Sequence, residues 1–186
     1  SAPHRPFVLY VGARYRYKNF QTLLQAFAGW GPPRGVELVV VGRPWSLFER
    51  RRITALGVKE WVRLVGRCSD EELCGLYNAA VALVYPSLYE GFGIPLLEAM
   101  ACGCPVVASK IPSTVEIAGD YPFYFRPESV EGLVQALEAA IAVGRCPERV
   151  EWGTRRARDF TWERTAAMTL EVYRDLWARG RKSPPP

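Results

Sequence analysis

Glu90 and Glu98 stand eight positions apart, and the chain between them reads Gly91-Phe92-Gly93-Ile94-Pro95-Leu96-Leu97. Glycines at 91 and 93 leave a stretch of backbone N–H groups unshielded by side chains, an arrangement suited to an oxyanion or to sugar hydroxyls. Pro95 fits the first position of a helix, where its missing N–H costs nothing, so Glu98 falls about one turn inside that helix. On one continuous helix, residues eight apart sit about 80° from each other. With Glu90 in the loop, the chain can instead turn both carboxylates toward one cleft. A favourable interaction with the helix dipole is the simpler account of Glu98, and plain solvent exposure that of Glu90. Neither explains why the segment around Glu90 is so rich in glycine.

A second candidate lies at Gly12-Ala13-Arg14-Tyr15-Arg16-Tyr17-Lys18-Asn19. Gly12 allows close approach of backbone to a ligand. Arg14 and Lys18 place two cations just before a helix, where the dipole opposes them and the free N–H groups favour anions. A bound polyanion such as a diphosphate resolves that conflict; simple exposure of both side chains is the alternative. A third segment, Gly66-Arg67-Cys68-Ser69, could offer its backbone to a nucleobase edge.

Other chemistries are poorly supplied. The only histidine is His4, so Ser-His-Asp or Cys-His catalysis and a histidine metal site are not expected. The five cysteines, Cys68, Cys74, Cys102, Cys104 and Cys146, form no zinc set, and their odd number in a chain with no visible secretory leader predicts reduced structural thiols. The four aspartates, Asp70, Asp120, Asp159 and Asp175, make no Asp-x-Asp motif. No metal or other cofactor is therefore expected, because a metal-bridged diphosphate needs such carboxylates. The formal charge is +5, with arginines grouped at 50–52, at 155, 156 and 158, and at 179 and 181 beside Lys182. Such groups could attract nucleic acid or an anionic membrane, but no nucleic-acid signature accompanies them, and solvated helix faces account for them.

The elements that must carry these loops alternate. Short apolar runs at 7–12, 36–42, 62–66, 81–85, 105–108 and 121–125 predict six buried strands. Phe20, Leu23, Leu24 and Phe27 recur at helical spacing. Ser69 with Glu72 three residues on predicts a capped helix whose inward face is Leu73, Leu76 and Tyr77. Further helices are expected over 95–102, 130–143, 148–159 and 162–178. The last carries Trp162, Ala166, Thr169, Tyr173 and Trp177 in one stripe, expected to pack on its own domain, with contact to another domain as the alternative. Strands alternating with helices predict an α/β fold, a Rossmann-like doubly wound parallel sheet with helices on both faces. With 186 residues, about half of them apolar, the chain is one domain, and its longest apolar run, 79–85, is far short of a membrane span of roughly 18 residues. Residues 1–6 are expected to be a linker, 7–178 the domain, and 179–186 a disordered tail.

Taken in order, these residues resemble a known family. The block from Glu90 through Glu98, continuing Ala-Met-Ala-Cys-Gly-Cys-Pro-Val-Val-Ala to Ser109, is similar to the E-x7-E signature of family 4 retaining glycosyltransferases, which have the GT-B fold. Val11-Gly12 with Arg14 and Lys18-Asn19, Leu38 to Gly42, Val65-Gly66, Ser69 to Leu73, Leu76-Tyr77, Tyr85-Pro86-Ser87, Glu116 and Phe160-Thr161-Trp162 follow in the family's order, so the resemblance covers residues 7 to 177.

The resemblance implies the C-terminal, nucleotide-sugar-binding domain of such an enzyme, one half of a GT-B fold. Gly12 then matches the glycine of the first loop, and Arg14 and Lys18 the basic pair on the donor diphosphate. Glu98 matches the ligand of the ribose hydroxyls. Glu90 matches the carboxylate near the transferred sugar. The backbone of Gly91, Phe92 and Gly93, with Ile94 beside it, meets sugar and phosphate, and Arg67 and Cys68 fall where base contacts lie. Arg14 and Lys18 would stabilise charge on the departing diphosphate while Glu90 orients the sugar, with attack from the same face. The implied partners are a UDP- or GDP-sugar, the N-terminal domain, and through it a glycan or lipid-linked acceptor. Nucleic acid is not expected. The implied location is cytoplasmic, with any peripheral membrane contact made by the other half. A sugar-nucleotide epimerase of the same architecture and a non-catalytic nucleotide-sugar-binding module are the competing readings; the domain alone is expected to be inactive.

Overall fold

Six strands, β1 (Phe7–Val11), β2 (Glu37–Val41), β3 (Val62–Val65), β4 (Ala82–Tyr85), β5 (Val106–Ser109) and β6 (Phe123–Phe125), form one sheet in the order β3-β2-β1-β4-β5-β6. Every neighbouring pair is parallel. The structure is a computed structural model and describes residues 5–180. Parallel strands need helical crossovers, which bury both sheet faces, and the four inner strands are accordingly almost wholly buried while β3 and β6 form the edges.

Alternation along each strand sorts the core into two layers. Val8, Tyr10, Leu38, Val40 and Val84 point to one face and pack with α1 (Phe20–Trp30) and α6 (Val130–Val143). Phe7, Leu9, Val39, Leu83 and Tyr85 point to the other and pack with α3 (Asp70–Ala79) and α4 (Ile94–Ala101). The predicted stripe Phe20, Leu23, Leu24 and Phe27 is buried, with Trp30 extending it. The capping box also forms: Ser69 Oγ accepts from Glu72 N at 3.2 Å and Glu72 Oε2 accepts from Ser69 N at 2.7 Å. α7 (Pro147–Ala157) packs beside α4.

Several boundaries move. β6 starts at Phe123, not Tyr121, because Tyr121 turns into the core and donates its hydroxyl to Cys104 O at 2.9 Å. Two helices were not expected, α2 (Leu47–Ala55) and α5 (Pro112–Ala118). α2 buries only Glu49 and Ile53, so it has no apolar stripe to read; its signature is the box between Ser46 and Glu49. Arg50 and Arg51 lie exposed on α2, as a solvated face would. Arg156 does not: it donates to Ile117 O and Glu116 O, closing the end of α5.

The largest correction concerns α8 (Trp162–Gly180). Its aromatic stripe was expected to pack on this domain, yet Trp162, Tyr173 and Trp177 are 78%, 65% and 68% exposed. The helix is 19 residues long, reaches Gly180 and leaves Trp162 and Tyr173 largely exposed. His4, the start of the expected linker and residues 181–186 of the expected tail lie outside the described residues.

Candidate functional site

β1 and β4 are neighbours, but β1 connects through α1 to β2 on its other side, so the direction of winding reverses between them. At such a switch point the loops that follow the two strands diverge and leave a crevice outside the strands' carboxyl ends. The loops there are 12–19 and 86–93, the two glycine-bearing segments singled out in the sequence. Leu88 N donates to Tyr17 O at 2.8 Å and ties them together.

Lys18 and Glu90 meet across this crevice, Nζ to Oε1 at 2.6 Å. Lys18 closes a short 3₁₀ turn (Arg16–Lys18) that Asn19 ends with a left-handed φ of 54°. Asparagine tolerates that conformation, and here it is held on both sides. Its Oδ1 accepts from Thr22 Oγ1 at 2.6 Å and its Nδ2 donates to Pro127 O at 2.7 Å. The Tyr85 hydroxyl at the end of β4 lies near Glu90; burial, and then the Glu90 charge, push its ionisation far above the ordinary tyrosine value, so it remains a proton donor.

Arg14, expected to act beside Lys18, is turned inward. Only 3% of its side chain is exposed, and Nε donates to Glu49 Oε1 at 2.6 Å. Nη2 donates to Arg43 O and Pro44 O, and the guanidinium lies 4.5 Å from the Trp45 ring centroid. Burial alone would push the Glu49 carboxyl up, but hydrogen bonds from Arg14 and Ser46 outweigh it and hold it below the ordinary range. Nη1 is buried without a partner and faces Gly42, where any Cβ would meet it at 3.0 Å. The structure thus separates the two cations: Lys18 faces the crevice and Arg14 braces the loops that form it.

On the β4 side, Gly93 has φ 139°, a conformation closed to most residues, and leads directly into α4. Ile94 takes the first helical position and Pro95 the second, one later than the sequence predicts. A Cβ at Gly91 would meet nothing, so packing does not demand that glycine and the backbone there is open. Phe92 is exposed and sets its ring edge-on to Phe160, 5.7 Å between centroids. Glu98 lies on α4, half-buried, where its Oε2 accepts from Tyr77 OH at 2.8 Å. Gly66 and Arg67, after β3, are exposed, and Cys68 is half-buried. Burial chiefly raises the Cys68 thiol, and Glu72, Asp70 and Glu98 add to it, so this segment lies within the electrostatic reach of Glu98.

Sequence reasoning passed over three groups: two are partners of this site's residues, and the third ties helix ends at the opposite, amino-terminal side of the strands. Tyr77 reads only as part of an apolar face, yet its hydroxyl finds Glu98. Glu49, on a helix the sequence did not announce, is Arg14's partner as well as half of the Ser46 capping box. Arg145 spans two helix ends, donating from Nη2 to Tyr77 O and Asn78 O and from Nη1 to Cys102 O and Gly103 O. Among the described residues no three His, Cys, Asp or Glu side chains gather as a metal's ligands would, and no helix is long and apolar enough to cross a membrane.

Residues 1–158 match the family model described as glycosyl transferases group 1. The chain is 36% identical to O-antigen chain mannosyltransferase B of Escherichia coli over 194 residues, covering 91% of this chain and 46% of that one. It is 37% identical to MMP alpha-(1->4)-mannosyltransferase of Mycolicibacterium hassiacum, over 87% of this chain and 41% of that one. Among solved structures, sucrose-phosphate synthase from Thermosynechococcus elongatus superposes with a TM-score of 0.78 at 30% identity, covering 95% of this chain and 46% of that one. The chain spans about half the length of the relatives it matches.

Proposed function

Because the chain belongs to the glycosyl transferases group 1 family, we propose that it is the donor-binding half of a retaining glycosyltransferase that moves a hexosyl group from a UDP- or GDP-sugar to a glycan or lipid-linked acceptor. The observation that carries this reading is the meeting of Lys18, Glu90 and the open backbone of Gly91 at the sheet's switch point. A diphosphate placed there finds a cation and the amino end of α4, whose positive dipole end favours anions.

Breaking the bond between the anomeric carbon and the diphosphate builds negative charge on the leaving phosphate and oxocarbenium character on the sugar. Lys18, carried on its turn and paired with Glu90 until a diphosphate displaces that carboxylate, stabilises the first. Glu90 orients sugar hydroxyls and favours the second. Glu98 binds the ribose, and Arg67 and Cys68 border the base. Arg14 acts at one remove, keeping the first loop in place through Glu49. The chemistry asks for no metal, since Lys18 and the α4 N-terminus meet the diphosphate charge. Attack comes from the face the phosphate leaves, with that phosphate taking the acceptor proton.

Transfer also needs a wall on the far side of the crevice. The exposed Trp162 and Tyr173 of α8 and the half-length match to the relatives support a second domain, N-terminal in the whole protein, that packs on α8 and brings the acceptor. This half alone is then inactive in transfer and competent in donor binding.

Calorimetric titration with UDP, GDP and ADP and their sugars, mannosyl donors first in view of the two mannosyltransferase relatives, tests the reading without added metal. The expected result is binding of at least one nucleoside diphosphate; binding of none overturns the proposal.

A further inference from the structure

Tyr77 is fixed at both ends. Its carbonyl accepts from Arg145 Nη2 at 2.8 Å, and its hydroxyl, at the far side of a ring 1% exposed, donates to Glu98 Oε2 at 2.8 Å. The same guanidinium grips the end of α4 through Cys102 O and Gly103 O at 3.0 and 2.7 Å, so the helix carrying Tyr77 and the helix carrying Glu98 are clamped to one another. Burial, and then the Glu98 charge, push the Tyr77 hydroxyl far above the ordinary value, so it keeps the proton that it donates to Glu98.

A glutamate side chain has several rotatable bonds, and half-buried without a partner it would sample several poses and lose affinity to ordering on each binding event. The Tyr77 bond removes that cost. It occupies Oε2 and leaves Oε1 to meet a ligand, in a pose set by two packed helices.

We infer that Tyr77 is a positioning residue whose hydroxyl presents the Glu98 carboxylate to the vicinal hydroxyls of a ribose, and so makes the site prefer ribonucleotides over dideoxyribonucleotides. The inference rests on the reading of Glu98 as the ribose ligand given above. A purely structural tyrosine would stabilise the fold equally for every ligand; a positioning tyrosine changes only the recognition of the hydroxyls.

The test is Tyr77→Phe, which keeps the buried ring and removes the hydroxyl. Wild type and variant are titrated with the nucleoside diphosphate that binds and with its 2′,3′-dideoxy analogue, and thermal unfolding is recorded on both. The expected result is an approximately five-fold fall in the ribo-over-dideoxy preference, the size of one lost hydrogen bond, with affinity for the dideoxy compound nearly unchanged. On a Glu98→Ala background, Tyr77→Phe then has no further effect on ribonucleotide affinity. An unchanged preference, or an equal loss for both nucleotides, overturns the inference. Glu98→Asp serves independently: it withdraws the carboxylate from Tyr77 with the ring intact, and a preference preserved there overturns the inference too. A wild type that binds no nucleoside diphosphate removes the functional reading and this inference with it, whereas binding with no effect of Tyr77→Phe removes the inference alone.

Discussion

Lys18 Nζ and Glu90 Oε1 lie 2.6 Å apart, joining two loops that stand 72 residues from each other in the chain. With only 20% and 11% of the side chains exposed, the pair is shielded, and an incoming diphosphate must compete with Glu90 for the lysine. The two residues therefore answer oppositely to mutation. Lys18→Ala is expected to weaken nucleoside diphosphate binding roughly ten-fold, or about 1.4 kcal/mol. Glu90→Gln frees the lysine and is expected to strengthen binding of a sugar-free nucleoside diphosphate about three-fold, since a competing charge is removed. Calorimetry at low salt checks both signs; weaker binding in both variants contradicts the competition.

Arg14 and Glu49 make a second, deeper pair, and its role is in stability. Arg14→Ala leaves the Glu49 carboxylate with Ser46 as its remaining partner and no opposite charge, and is expected to cost about 3 kcal/mol, measured by urea denaturation. The pH dependence has a definite sign. Glu49 is held below its ordinary value of 4.5, so the unfolded chain binds the proton more readily. The pair's contribution is complete above pH 4.5 and disappears as pH falls through the lower folded value. The melting-temperature advantage of wild type over Glu49→Gln is expected to be full at pH 7 and to shrink below 4.5. A constant gap down to acid unfolding contradicts the ion pair.

Arg145 tests a different kind of contact. One planar guanidinium reaches carbonyls at the ends of both α3 and α4, through Nη2 and Nη1 respectively. Arg145→Ala is expected to destabilise the protein by about 1–2 kcal/mol, modest because the residue is exposed. Arg145→Lys is expected to recover little of this, because a compact ammonium cannot serve two helix ends at once. Full recovery by lysine in chemical denaturation contradicts the two-ended clamp.

The thiols should react in a fixed order. Cys74 is exposed, whereas burial pushes the Cys104 thiol up to about 12 and, with the neighbouring Cys74, the Cys102 thiol up to about 11. At pH 8 iodoacetamide is expected to label Cys74 first and Cys104 last, since the thiolate is the nucleophile. Peptide mapping over time reads the order; early labelling of Cys104 in the folded protein contradicts its burial.

Much of this protein is written locally. The apolar runs at 7–12 and 81–85 announce buried parallel strands, the spacing of Phe20, Leu23, Leu24 and Phe27 announces α1, and Ser69 with Glu72 announces the start of α3, because strand alternation, helical period and capping depend only on near neighbours. The loops that border the crevice were legible for the same reason: glycines and charges directly after strands need no knowledge of the rest of the chain. α2 was lost because Leu47, Phe48 and three arginines give it no stripe, its burial being confined to Glu49 and Ile53.

What the tertiary structure decided is which of those charges meet. Sequence treats Arg14 and Lys18 as equals four residues apart; the crossover from β1 to β2 turns Arg14 into the wall toward Glu49, while the return to β4 brings Glu90 to Lys18. Tyr77 reads as one more apolar-face residue until α4 packs beside α3 and sets Glu98 against its hydroxyl. The stripe on α8 reads as a face that wants a cover, but whether this domain supplies it depends on where the chain turns after Phe160, and the structure leaves it open. Local patterns specify elements because their cause is local; partnerships across 35, 72 or 21 residues arise only when the winding order of the sheet brings distant loops to one edge.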